Sequence, residues 1–310
     1  MLALAGIALV FVAIFGGYLL ERGNPYVLMQ PAELLIIGGA AIGIALVANP
    51  WRVIRKMLYS ALATFRPSRE NRPYFLRHLR MLYEVFVYSQ RVGGIMSLES
   101  DVEEPAKSAI FSRYPQFLAD RAVRDFVCDS LRMLVVGITS SHELDVLMDL
   151  DIEVQRRGRH DPVNALAAVA DALPGFGIVA AVLGVVITME AIGGSSEAVG
   201  QKVAAALVGT FLGILLCYGV VGPMAARMES RNETQNQFLQ VMRTAIAAFA
   251  RGAAPILALE YARRSIPIEL RPSFIEMETS IKRDAKIPSL PKAPDAQSPN
   301  GGADDSGQAA

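Results

Sequence analysis

The residues of this 310-residue chain best suited to nucleophilic or metal chemistry are three histidines, His78, His142 and His160, and two cysteines, Cys128 and Cys217. Their placement supports neither chemistry. The histidines stand in polar segments with no nucleophile or metal-ligand spacing around them, and the cysteines lie far apart in segments of different kinds. Those cysteines read as two small buried thiols. The sequence has no phosphate-binding glycine loop of the P-loop or dinucleotide type, so it does not read as an enzyme. What remains is chemistry inside long apolar runs, and there the informative feature is an absence. No Asp, Glu, Lys, Arg or His falls in the middle of any such run, whereas a proton path across a membrane needs a titrating group at depth. The chain therefore cannot complete a carboxylate relay alone: either it conducts no ion, or a partner helix supplies the acid. Thr210 is the main polar residue of the last run. A threonine there bonds back to its own helix or, facing a pore, hydrates or coordinates a passing ion. Pro174 and Pro223 each stand near one end of an apolar run, where a proline either ends a helix or makes a hinge.

Four apolar runs must position these residues: Met1 to Leu20, Leu34 to Asn49, Ala172 to Met189 and Val203 to Ala226. A helix needs about 20 apolar residues to span a bilayer, so the second and third runs need flanking residues or local thinning. The first run lacks a basic leader and is too long for a signal-peptide core, which makes it a span. With 52% hydrophobic and 19% charged residues, the composition is that of membrane spans joined to a soluble part, and a net charge of +0 leaves no field for nucleic acid. Arg52, Arg55, Lys56, Arg66 and Arg69 follow the second run, and Arg227 and Arg231 follow the fourth. The connectors Glu21 to Pro31 and Glu190 to Lys202 carry one basic residue each. Basic residues stay inside, so both termini and the long middle segment are expected in the cytoplasm, with the spans among the lipids of the membrane.

The fold class expected is all-α, a four-span helical membrane protein with a helical cytoplasmic domain. Apolar residues recur at helical spacing in Tyr74 to Gln90, in Arg121 to Val136 and in His142 to Val154, and no segment alternates like a strand. The expected divisions are 1–49 (two spans), 50–171 (cytoplasmic domain), 172–226 (two spans), 227–285 (helical tail, with Arg231 to Ala250 extending the fourth span) and 286–310 (disordered). Small residues repeat every fourth position at Ala205, Gly209 and Gly213, at Gly177 and Ala181, and at Gly39 and Gly43. Such repeats let helix backbones approach in lipid.

Four segments carry a resemblance: Gln30-Pro31-Ala32-Glu33-Leu34, Asp171 to Val182, Val208 to Leu216, and Arg271-Pro272-Ser273-Phe274-Ile275-Glu276. In this order they resemble the MotA/PomA flagellar stator family, closest to its proton-type MotA branch, from the N-terminus to about Glu278. The resemblance implies a ring, taken to be a pentamer, around a dimer of a single-span MotB-type partner that brings the ion-binding aspartate. Protons would be the coupling ion, with no other cofactor, and the cytoplasmic domain would push the rotor protein FliG. The energy available is about 2.3 kcal/mol per charge per 100 mV. By the same resemblance Pro174 and Pro223 are the coupling prolines and Thr210 lies beside the ion path. Arg91 and Glu99 face the rotor, although Gly93 and Gly94 after Arg91 depart from the family's pattern. Ala181 stands where sodium-type members tend to have a second threonine, and alanine offers a desolvated sodium ion no oxygen. Asp149, Asp151 and Glu153 form an acidic face that could assist. The alternative is an ExbB/TolQ-type energiser of outer-membrane transport, disfavoured by the four spans and the Arg271–Glu276 segment.

Overall fold

The computed structural model describes residues 2–66, 70–137, 140–189 and 195–285. Arg69, Glu190 and the tail from Lys286 lie outside the described residues. The regular elements among them are all helical: α1 Leu2–Leu20, α2 Pro25–Leu28, α3 Pro31–Ala48, α4 Trp51–Ala63, α5 Arg72–Val92, α6 Glu99–Glu103, α7 Pro115–Ala119, α8 Arg121–Val136, α9 Ser141–Met189, α10 Ser196–Leu216, α11 Gly222–Ala250, α12 Pro255–Ser265 and α13 Phe274–Asp284. Four stretches are long and apolar enough to cross a membrane: Ala3–Leu20, Pro25–Ala48, and parts of Ser141–Met189 and Val199–Ala250.

The two later spans do not stop at the membrane. α9 runs for 49 residues, about 70 Å at the helical rise. It starts with a reciprocal cap, Ser140 Oγ accepting from Glu143 N–H at 3.2 Å while the Glu143 carboxylate accepts from Ser140 N–H at 2.9 Å. It then passes through Pro162 and Pro174 without a break. α10 joins α11 through one π turn, Cys217–Val221, in which Gly222 N–H reaches back to Cys217 O. Pro223, in the first turn of α11, lacks an N–H of its own, and the wider π turn takes up the mismatch. Both prolines therefore lie within continuous helical rods, not at helix ends.

Below the spans, a polar head is built on one core. Phe75, Leu79, Leu82 and Phe86 of α5 meet Phe126 and Leu131 of α8, Met148 and Ile152 of α9, and Phe238 and Met242 of α11, all buried. Each large side chain contributes roughly 1.5–3 kcal/mol by leaving water. Phe86 stacks on Phe249 at 4.1 Å and Phe75 packs edge-on against Phe238 at 5.3 Å. Segments on either side of the third and fourth spans thus share this core. The caps agree with the sequence: Asn71 and Asp120 accept from Tyr74 and Val123 N–H at the starts of α5 and α8, and Gly137 ends α8 with φ +68°.

The Arg271–Glu276 segment is a clasp. Ser273 and Glu276 form a capping box at the start of α13. Arg72 at the start of α5 pairs with Glu276 at 3.3 Å and donates to Arg271 O at 2.8 Å. α4 buries Val53, Ile54, Met57 and Ala61 against α9 and α11 and leaves Trp51, Leu58, Tyr59 and Leu62 exposed. This pattern, with Arg52, Arg55 and Lys56 beside it, suits a helix lying in a membrane surface. Arg227 Nε donates to Thr64 O at 3.0 Å and Arg231 to Ala63 O, so both cations cap the C-terminal end of α4.

Candidate ion path and coupling site

Glycine brings α9 and α10 into backbone contact. A methyl group on Gly177 would lie 2.8 Å from Gly209 O, and one on Gly213 would lie 2.6 Å from Leu173 O. Thr210 and Ala181 sit at this crossing: the Thr210 Cα would be 3.3 Å from a Gly177 methyl, and the Ala181 nitrogen 3.2 Å from a Gly209 methyl. The structure thus brings together Thr210, Ala181 and the glycines. Gly39 and Gly43 differ from the expectation of close approach, because open space surrounds both. The face α3 buries is instead Glu33, Ile37, Ala41 and Ala45.

Among the described residues the Thr210 hydroxyl has no hydrogen-bond partner. Thr188 bonds back to Gly184 O at 2.8 Å, and Thr244 to Gln240 O at 2.7 Å. Of the two expectations for Thr210, the self-satisfied hydroxyl is not the one the structure takes. Pro174 lies within the crossing, between the Leu173 and Gly177 contacts on α9, and Pro223 lies on its head side, beyond the π turn on the other rod.

Sequence reasoning missed Glu33. It sits at the edge of the second apolar run and counts there as a flanking charge. In the structure it is 7% exposed, its Oε2 lies 2.6 Å from where a Gly209 methyl would be, and that oxygen has no hydrogen-bond partner. A signal was available: Pro31 suits the first helical position, which puts Glu33 inside the helix on the face of Ile37, Ala41 and Ala45.

Arg91 and Glu99 lie far from this crossing, in the head. Arg91 is in the last turn of α5 and Glu99 opens α6; both are exposed, and neither forms an ion pair among the described residues. Gly93 and Gly94, with φ +125° and +88°, end α5 and do not loosen it, and Gly94 N–H bonds Ser89 O at 2.8 Å. The acidic face is largely spent internally. Asp149 pairs with Arg243, Asp151 accepts from Gln155, and Glu153 takes Arg156 and Arg157. The Arg156 and Arg157 hydrogen bonds hold the Glu153 carboxyl down at about 2. Burial among aromatic rings pushes His78 down to about 4, and its Nδ1 lies 2.8 Å from Tyr74 O. Among the described residues no cluster of His, Cys, Asp or Glu could hold a metal.

Apolar spans continuous with a polar head and crossing through glycine are the architecture of a multi-pass membrane subunit, and residues 118–241 match the MotA/TolQ/ExbB proton channel family. Residues 4–93 match the family described as Motility protein A N-terminal. The chain is 39% identical to Motility protein A of Escherichia coli (strain K12) over 282 residues, 91% of this chain and 95% of that one. It is 36% identical to chemotaxis protein LafT of Vibrio parahaemolyticus over 88% of this chain and 95% of that one. The chain belongs to the Motility protein A family: it is a multi-pass inner-membrane stator protein and not an enzyme. Its fold matches a chain of the Campylobacter jejuni MotAB structure (TM-score 0.71, 20% identity, 86% of this chain and 96% of that one). It also matches one of the flagellar MotAB stator complex from Bacillus subtilis (TM-score 0.70, 22% identity, 87% and 98%).

Proposed function

We propose that copies of this chain form a ring, pentameric by the family resemblance, around a dimer of a MotB-type single-span partner, and that protons passing at the partner's aspartate turn the ring against the rotor protein FliG. Both termini and the head are cytoplasmic in this arrangement. The observation that carries the proposal is the continuity of α9 and of α10–α11 from the glycine crossing into the core of the head. A rotation or tilt at Thr210 is delivered to the head by two rods, with Pro174 and Pro223 as the bending points. Protons are favoured over sodium because Ala181 offers the crossing no side-chain oxygen. Arg91 and Glu99 are the rotor-facing charges, and their exposure, with no ion-pair partner among the described residues, supports that role. The test is complementation of a strain lacking the protein. Wild type restores rotation of its flagella; Pro174→Ala does not; the double substitution Arg91→Ala with Glu99→Lys assembles and gives weak rotation. A null strain that swims normally with no second stator to compensate sinks the proposal and points to energised outer-membrane transport.

A further inference from the structure

Glu33 is an ionisable side chain inside the membrane-spanning part that the mechanism above does not use. Its carboxyl lies over two residues without side chains. A methyl on Gly209 would stand 2.6 Å from Oε2, and one on Gly184 would stand 3.5 Å from Oε1. The slot therefore exists because both positions are glycine. Gly184 is five residues inside the Met189 end of α9, about 8 Å along the axis, so the carboxyl lies below the edge of the apolar layer. Oε2 is buried and unpartnered, and the nearby Gly184 carbonyl is already taken by Thr188.

The groups facing Glu33 leave its charge uncompensated. α9 presents no ionisable side chain from Ala172 to Met189. On α10, Lys202 shares the face of Ala206 and Gly209 but is exposed seven residues earlier. Tyr26 of α2, and Glu21 and Arg22 before it, are exposed, and no ion pair joins Glu33 to any described residue. An apolar residue would fill the slot at lower cost than an acid without a partner. An unpaired carboxylate in the apolar layer is unfavourable, so the side chain occupies the slot as the neutral acid and gives up its proton only to water or to a base that reaches it. The slot is one residue from Thr210 and lies against Ala181.

We infer that Glu33 is a proton-binding group of the ion path carried by this chain itself. At the outer mouth an O–H bond of hydronium breaks and one forms on the Glu33 carboxylate. The acid then releases that proton inward to the partner's carboxylate and is left charged until water reloads it. No electron changes hands. The inference rests on the stator proposal and its orientation.

The test uses the full chain purified with its single-span partner, in proteoliposomes holding a pH-sensitive dye, with a potential set by potassium and valinomycin. If the wild-type complex takes up no protons, the stator proposal itself fails, and this inference falls with it. If it conducts, Glu33→Gln lowers the flux by roughly tenfold or more in a complex recovered in normal amount. Glu33→Asp keeps flux with its dependence on external pH displaced. Glu33→Gln flux within about two-fold of a conducting wild type, or both variants depressed with an unchanged pH profile, overturns it. Should Glu33→Gln not assemble, infrared difference spectra of wild type and Glu33→Asp decide: a carboxylic C=O band that shifts between them supports the assignment, and no shift rejects it.

Discussion

Among the described residues the Thr210 hydroxyl, like the Glu33 Oε2 beside it, has no hydrogen-bond partner, whereas Thr188 and Thr244 both bond back along their helices. A hydroxyl kept free beside backbone-to-backbone glycine contacts has a use for water or a proton carrier. Thr210→Val keeps the shape and removes the oxygen, so it is expected to lower rotation speed and proton uptake several-fold without reducing protein level, while Thr210→Ser restores most of both. Equal behaviour of the two variants would make the residue a packing element. In the head, His78 gives a pH prediction. The unfolded ring binds its proton below about pH 6.5, whereas the folded ring, buried among Tyr74, Phe117 and Phe238, does so only near 4. The folded head thus holds fewer protons across that window. Its stability is full above pH 6.5 and declines as pH falls towards 4, by about 3 kcal/mol in all. Thermal unfolding of the purified complex across that range would show the slope, and His78→Phe would flatten it. Thr210 could be singled out in the sequence because it is the main polar residue of a long apolar run. Glu33 could not, because its role depends on which turn of the second run is first helical and on glycines about 150 and 175 residues away.

Among the elements, periodicity was readable where one face is buried and the other wet. Arg121–Val136 is found as expected, and the regions around Tyr74–Gln90 and His142–Val154 lie in α5 and α9. A change of composition along one rod marks a change of surroundings and says nothing of where the helix ends. The switch to uncharged residues at Ala172 marks the start of the apolar run, while the helix itself continues past Pro174, which has no N–H to give to the ladder. α4 was not separable either, because its exposed face mixes Trp51, Leu58 and Tyr59 with basic residues. The glycine repeats were half legible. Spacing marks a small-residue stripe but cannot say whether the helix that fills it belongs to the same chain. The structure distinguishes them: Gly213 is filled by the backbone of α9, whereas Gly39 faces open space. Gly213→Ala is accordingly expected to force α9 and α10 apart and destabilise the membrane part by about 1–3 kcal/mol. Gly39→Ala leaves the isolated subunit unchanged. Thermal aggregation midpoints of the two variants in detergent measure the difference, and a Gly213→Ala midpoint equal to wild type would contradict the close crossing.

At the scale of the whole molecule, two long rods run antiparallel in chain direction and are joined by polar ties at successive heights. Nearest the spans, His160 Nε2 lies 3.3 Å from Glu229; next, Asn232 donates to Arg159 O at 2.8 Å and Arg159 donates to Asn236 Oδ1 at 2.6 Å. Further into the head, Arg243 of α11 grips Asp145 of α9 at 2.9 Å and also pairs with Asp149, while Arg251 approaches Asp145 at 3.7 Å. The Arg243 tie lies within the head, about eight to nine helical turns of α9 from the glycine crossing at Gly177. On the proposed mechanism, proton passage at the crossing and force at the head are therefore separable by mutation. Arg243→Gln leaves two partly exposed acids that water can solvate, so the fold persists. The relative position of the rods at the head then becomes soft. The expected result is proton uptake within about two-fold of wild type together with a clear loss of stall torque on tethered cells. Asp145→Asn should give a similar loss, and the double variant should be no worse than either single one, because both remove the same tie. If flux and torque fell together in Arg243→Gln, the clamp would be shaping the membrane crossing itself, and the two rods would act as one rigid body from end to end. If torque were unchanged, the core around Phe238 and Phe249 would be sufficient to hold the rods, and the charges would be surface pairs of little mechanical consequence.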